Sequence, residues 1–276
     1  MALLAFSGCA ASSGAIWSRA VRKSSPSGFA PVNFSVEPFR LAGLLKKGEP
    51  AGELVVYLEG DGRAIVRGRP SSDPTPRFQQ SLDLALLDPA PSILYLARVG
   101  QYVPEYAGTE YQTYWSEKRL SPEVVISSSK AIDAAKAMCG ADFVHLVGYS
   151  GGGGLAVLLA ESRSDVLSVV TVAGLLDTAW WTQNGGWKPL AGSLNPSDRV
   201  DLILRLPQIH FYGTEDNVIP PRLSQIYASK GNFADLTLIP VKTNHYEGWT
   251  EAWESILRNR VLPLRRKIPR TGLNAI

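Results

Sequence analysis

Short apolar runs alternate along this chain with longer stretches in which apolar residues recur at helical spacing. The runs are Leu54–Leu58, Ile93–Ala97, Phe143–Val147, Leu167–Val172, Ile209–Tyr212 and Leu236–Val241, and most of their positions are apolar. A strand that is apolar on both faces must be covered on both faces, which is the signature of a parallel sheet. Between these runs, Phe78–Leu87, Pro122–Met138, Gly152–Ser162, Arg222–Ser229 and Tyr246–Arg258 read as helices. Phe34–Phe39 and Arg40–Leu45 read as one or two antiparallel edge strands ahead of them. The pattern predicts an α/β fold, with a mostly parallel central sheet and helices on both faces. It shows no internal repeat. Two long irregular insertions, Val99–Ser121 and Asp177–Leu206, are of a length that in compact domains is functional or mobile.

With 276 residues, 45% of them apolar, the chain can bury the core of one such domain, expected over residues 32–262. No apolar stretch approaches the ~18 residues of a membrane span. The net charge is only +3, but Arg258, Arg260, Arg265, Arg266, Lys267 and Arg270 crowd the last stretch, which has no acid. Residues 263–276 are therefore expected to form a solvated basic tail. No aromatic residue is interleaved there, so nucleic-acid binding is not expected. Of the two cysteines, Cys139 ends a predicted helix and reads as a small apolar residue. Cys9 lies in Leu3-Leu4-Ala5-Phe6-Ser7-Gly8-Cys9-Ala10, which resembles a bacterial lipoprotein signal ending in a lipobox, although Phe6 replaces the usual aliphatic residue and no basic segment precedes it. The resemblance implies a lipidated Cys9, membrane anchoring and a periplasm-facing domain, with residues 10–31 as a flexible Ser/Gly/Pro-rich tether. A cytoplasmic protein is expected if this segment is not a signal.

The chemistry-bearing motif is Gly148-Tyr149-Ser150-Gly151-Gly152, placed between a predicted buried strand and a predicted helix. Strand, G-x-S-x-G, helix is the setting of a nucleophile elbow, whose sharp turn lifts a serine hydroxyl clear of the sheet. Ligand sites of open α/β sheets lie at the carboxyl ends of strands, and two more reactive residues follow later strands. Asp216 lies in Gly213-Thr214-Glu215-Asp216-Asn217 and His245 follows Val241. The chain has three histidines; His145 and His210 fall inside predicted strands, which leaves His245 as the base. Asp216 is the expected acid, and Asp177, one strand earlier, is its competitor. Ser150 would attack a carbonyl carbon, His245 would shuttle its proton, and the acid would orient the imidazole. The turn Glu59-Gly60-Asp61-Gly62 follows an early strand, so the N–H groups of Asp61 and Gly151 are the expected oxyanion donors. Tyr102, Tyr149, Trp180 and Trp181 are the expected substrate contacts. The aromatic insertion Thr178–Trp187 reads equally as a small lid or as packing onto the domain. The histidines lack ligand spacing, so no metal or other cofactor is expected, and no Gly-Lys-Ser/Thr follows the glycine run to make a phosphate cradle.

Together these residues resemble an α/β-hydrolase-fold serine hydrolase. Glu59-Gly60-Asp61-Gly62, the Gly-Tyr-Ser-Gly-Gly-Gly elbow, Ser72–Pro76, Gln101-Tyr102, Tyr114-Trp115 and Gly192–Pro196 resemble a bacterial, often lipoprotein-like group within it. The likeness runs from about Val36 to about Leu257. It implies a Ser-His-Asp enzyme that forms an acyl-enzyme from an ester or related acyl bond in a small-molecule or lipid-like substrate. Acyl transfer, or a non-catalytic binding role on the same fold, are the alternatives. Two features depart from the pattern. Glu59 stands where a histidine is usual, so another contact must stabilise that turn. Relatives tend to carry a cysteine at the position of Gly100 and another a few residues on; without them, the rigidity of that loop is in question.

Overall fold

A computed structural model of the chain describes residues 12–49, 52–106 and 109–268. Cys9 lies outside them. The strands in chain order are β1 (Phe29–Val36), β2 (Phe39–Lys46), β3 (Glu53–Leu58), the short pair β4 (Ile65–Val66) and β5 (Arg69–Pro70), β6 (Ile93–Leu96), β7 (Phe143–Tyr149), β8 (Val166–Val172), β9 (Gln208–Gly213) and β10 (Leu236–Val241). Eight of them form one sheet in the order β1-β2-β6-β3-β7-β8-β9-β10. The pairs from β6 through β10 are parallel, and β2 runs antiparallel to both β1 and β6. The predicted edge strands are thus one hairpin that turns at Glu37-Pro38, where proline cannot donate to the ladder.

The helices are α1 (Ser13–Ser24), α2 (Gln80–Leu86), α3 (Pro122–Cys139), α4 (Gly151–Ser162), α5 (Thr178–Asn184), α6 (Arg222–Ala228), α7 (Trp249–Ile256) and α8 (Leu262–Lys267), the last two joined by one wide turn. Alternation along the strands divides the core into two layers. Leu54, Val56 and Leu58 of β3 join Val124 and Ile132 of α3 and Leu155–Leu159 of α4. Val55 and Tyr57 face the other way and meet Ile16 of α1, Leu82 of α2 and Trp249 and Trp253 of α7. Helices on both faces of a mainly parallel sheet are the architecture that the apolar runs predict.

Two segments, one near each end of the described residues, differ from expectation. Residues 13–24 are helix where a tether was expected; Ser12 Oγ caps the helix by accepting from Ala15 N–H (3.3 Å), and Ile16 and Ala20 are buried. Ile16 and Ala20 lie four apart and so share one helix face, which outweighs the Ser/Gly-rich composition around them. The folded domain therefore includes residues 13–24, ahead of residue 32. At the other end, α8 occupies part of the expected basic tail. Arg265 is buried there and makes two hydrogen bonds to Asp88, at 2.8 and 3.1 Å; Asp88 also accepts from the Tyr57 hydroxyl. Residues 269–276 lie outside the described residues. The helix expected from Tyr246 begins at Trp249, because Asn244 Oδ1 accepts the Tyr246 and Glu247 N–H groups and Gly248 adopts φ +88°.

Candidate active site

The carboxyl ends of β7, β9 and β10 bring three side chains together. Ser150 directly follows β7 with φ 53° and ψ −122°, a conformation that a non-glycine residue rarely adopts and that must be held from outside. It is held. Its N–H donates to Val172 O and its carbonyl accepts from Leu175 N–H, both at 2.9 Å. The glycines after it allow the crowding: a β-carbon on Gly152 would lie 2.3 Å from the Leu58 carbonyl oxygen. His245 Nε2 lies 3.1 Å from Ser150 Oγ, and His245 Nδ1 lies 2.8 Å from Asp216 Oδ2. The other Asp216 oxygen accepts from the N–H groups of Val218 (2.8 Å) and Ile219 (2.7 Å), which fixes the carboxylate. Serine, imidazole and carboxylate form one hydrogen-bonded line.

The competing acid lies elsewhere. Asp177 caps α5, accepting from Trp180 N–H (2.9 Å) and Ser197 Oγ (2.7 Å), with Lys230 Nζ at 3.5 Å. Burial opposes its ionisation, but those donors outweigh burial and hold it below the usual carboxylate range. The remaining histidines are core groups, as the strand assignments predict. His145 Nδ1 meets Ser168 Oγ at 2.8 Å, and His210 Nδ1 meets Thr171 Oγ1 at 2.8 Å. Burial lowers His210 to about 3.

The Glu59–Gly62 turn closes over the serine: a β-carbon on Gly60 would sit 3.3 Å from Ser150 Cβ. Among the described residues, neither the Asp61 nor the Gly151 N–H donates to a protein acceptor. The Asp61 carboxylate bridges two buried arginines, Arg98 Nη1 at 3.2 Å and Arg119 Nη1 at 2.7 Å. Burial works against its ionisation, yet Arg119 and Arg98 prevail and depress its pKa. Arg98 also donates to the Arg119 carbonyl, and Gln101 Nε2 donates to Gly60 O (2.8 Å). The loop that lacks cysteines is therefore gripped by side chains. Trp115 occupies the space a side chain at Gly100 would need, 2.4 Å from its β-carbon position.

Tyr149 and Tyr102, expected as substrate contacts, are built into protein packing. The Tyr149 hydroxyl donates to the His245 carbonyl (2.7 Å), and its ring lies 5.3 Å from the imidazole. Tyr102 is buried, with Trp17 of α1 against its ring (4.9 Å) and its hydroxyl 3.2 Å from that of Tyr95. Trp180 and Trp181 are half-buried against the core, and Trp181 Nε1 donates to Val218 O (2.7 Å), so this insertion packs onto the domain. Sequence reasoning placed Glu59 in the oxyanion turn without its partners and missed Arg98 and Arg119 as parts of the site. The available signal was a charged residue directly after each of two apolar strand ends, Glu59 after Leu58 and Arg98 after Ala97.

Est1E from Butyrivibrio proteoclasticus superposes with a TM-score of 0.62 at 12% identity, over 86% of this chain and 99% of its own. The Pyrococcus furiosus esterase Pf2001 does so with 0.63 at 11%, over 89% and 93%. The α/β hydrolase GrgF from Penicillium sp. sh18 gives 0.60 at 13%, over 87% and 99%. The chain has the α/β-hydrolase fold. No family model and no curated protein matches the sequence, so the likeness is one of architecture. Within the α/β-hydrolase fold, Ser150, Asp216 and His245 stand in the chain order serine, acid, histidine at the carboxyl edge of the sheet.

Proposed function

We propose that this protein is a cofactor-independent serine hydrolase acting on a carboxylic ester or related acyl bond. The observation that carries this reading is the line from Asp216 through His245 to a serine held at a positive φ. Ser150 Oγ attacks the acyl carbon while its proton passes to His245 Nε2, and the carbonyl π pair moves onto oxygen. The N–H groups of Asp61 and Gly151 receive that oxyanion. Collapse breaks the bond to the leaving group, which takes the proton from His245 and leaves an acyl-Ser150 ester. Water then adds to the acyl carbon, giving its proton to His245, and the acid departs as Ser150 regains the proton. Asp216 holds the imidazole in the productive tautomer and stabilises the imidazolium. The esterase named among the structural neighbours agrees with this chemistry, and a binding scaffold would have no need of the base and orienting acid.

Labelling with a fluorophosphonate tests the reading. The wild type should be modified at Ser150 and Ser150→Ala should not; labelling undiminished in Ser150→Ala removes the serine from the mechanism. Lipidation of Cys9 rests on the lipobox-like residues alone. It predicts that the exported full-length protein partitions with membranes and that Cys9→Ser releases it. Equal membrane content of the two forms would refute it.

A further inference from the structure

Glu59 is almost completely buried, at 1% exposure, and a carboxylate without water needs protein donors. It has them. Its Oε1 accepts the Gly60 N–H (2.8 Å), and its Oε2 accepts from the Tyr95 hydroxyl (3.1 Å), which itself lies 3.2 Å from the Tyr102 hydroxyl. The first of these bonds sets the peptide plane entering Gly60. Gln101 Nε2 sets the next one by donating to the Gly60 carbonyl. Because a trans peptide is planar, a Gly60 carbonyl turned toward Gln101 leaves the Asp61 N–H facing the opposite way. Glu59 thus works at the root of the turn and the Arg98–Asp61–Arg119 cluster at its tip.

We infer that Glu59 is a positioning residue for the proposed oxyanion donor: its buried carboxylate takes the Gly60 N–H out of contention and fixes the peptide from which the next one, held by Gln101, presents the Asp61 N–H to Ser150. This rests on the serine-hydrolase reading, and it answers how the turn is held with glutamate in the usual place of histidine. The hold depends on protonation. An ionised carboxylate accepts with both oxygens, whereas the acid form turns one of them into a donor. The groups around Glu59 are Tyr95, Tyr102 and Tyr149, with Arg98, Asp61 and Asp83, and the Ser81 N–H favours the charged form. Burial dominates, aided by Asp83, and raises Glu59 to about 7 against the Gly60, Tyr95 and Ser81 hydrogen bonds. The turn is therefore most firmly held above that pH and loosens below it.

The test compares the wild type, Glu59→Gln and Glu59→Leu on a chromogenic acetate ester between pH 6 and 8.5. The amide keeps one acceptor oxygen and replaces the other with a donor group, as protonation does. Glu59→Gln should match the wild-type kcat at pH 6 and fall about tenfold below it at pH 8.5, with KM unchanged. Glu59→Leu, which offers the turn no acceptor, should lose about 10²-fold in kcat at every pH. A Glu59→Gln profile that overlays or parallels the wild type overturns the inference, as does a loss confined to KM. Glu59→Gln keeps the test decisive should Glu59→Leu fail to fold. Fluorophosphonate labelling of the wild type separates the two levels. An unlabelled Ser150 sinks the hydrolase reading and this inference with it; a labelled Ser150 with unaffected Glu59 variants sinks this inference alone.

Discussion

The two walls of the site differ in construction. On the side of the turn, Glu59, Arg98, Gln101 and Arg119 are all buried, and their side-chain hydrogen bonds tie the turn to the Arg98–Gln101 loop and to Arg119. On the side of the base, Asn217, Asn244, Tyr246 and Glu247 line a groove of about 310 Å³ beside His245, and Tyr246 is 69% exposed. Asp216 is the exception on that side, since it is buried and held by two N–H groups. The difference suits what each wall would do in the proposed acyl transfer. Donors that meet a developing charge are useful only if they are already in place. In the same proposal a leaving group and a water molecule exchange protons with His245, and the groove beside it is open.

The comparison breaks first at Asp216. Asp216→Asn should lower kcat by about 10³–10⁴, because an amide favours the wrong imidazole tautomer and cannot stabilise the imidazolium. Asp177→Asn should leave kcat within about threefold, since asparagine still caps α5 and only the charge facing Ser197 and Lys230 is lost. A steady-state assay with a folding check decides; the reverse order would place the acid one strand earlier.

Loosening the rigid wall should have the next largest effect. Arg119→Gln removes one of the two cations from Asp61, and kcat should fall by about 10–10²-fold, less than outright loss of an oxyanion donor. Stability should fall by about 3 kcal/mol at neutral pH, as when a buried ion pair loses one partner. The sign with pH is set by the depressed Asp61 pKa. The contribution is present above the pKa of the unfolded chain and is lost as pH falls through the folded one, so the two proteins should converge in acid. Urea melts at pH 7 and pH 3 measure this, and an unchanged melt with unchanged kcat would show that the clamp is idle.

The smallest effect is expected on the open wall. Tyr246→Ala should change stability by no more than about 0.5 kcal/mol, as exposed positions do, and kcat by less than about threefold. A tenfold loss in kcat/KM across several esters would mean that this wall, too, is shaped for substrate.

The physical reason that much of this was legible lies in periodicity. Six apolar runs predicted the six parallel strands, because a strand covered on both faces has few polar positions. Gly-x-Ser-x-Gly between a strand and a helix announced the elbow, because few residues tolerate that turn. Histidine counting singled out His245. Other features were illegible for equally physical reasons. Helix α1 hid in a Ser/Gly-rich stretch because its partners, Tyr102 among them, are distant in sequence. Arg265 read as one more solvated cation, because nothing local shows that Asp88 waits for it 177 residues away.

By itself the sequence determined the sheet, the elbow and the serine, since each depends on local backbone preference and on spacing within a few residues. The sequence favoured Asp216 over Asp177, but only the tertiary structure shows which one meets the base, since their local settings are alike: each follows a strand in a loop. The choice depends on which carboxylate reaches His245 Nδ1, and that distance is set by how β9 and β10 lie side by side. The same holds for Glu59, Arg98 and Arg119. Their charges are plain in the chain, but their roles come from burial and from the carbonyls, hydroxyls and carboxylate that folding brings within hydrogen-bond reach.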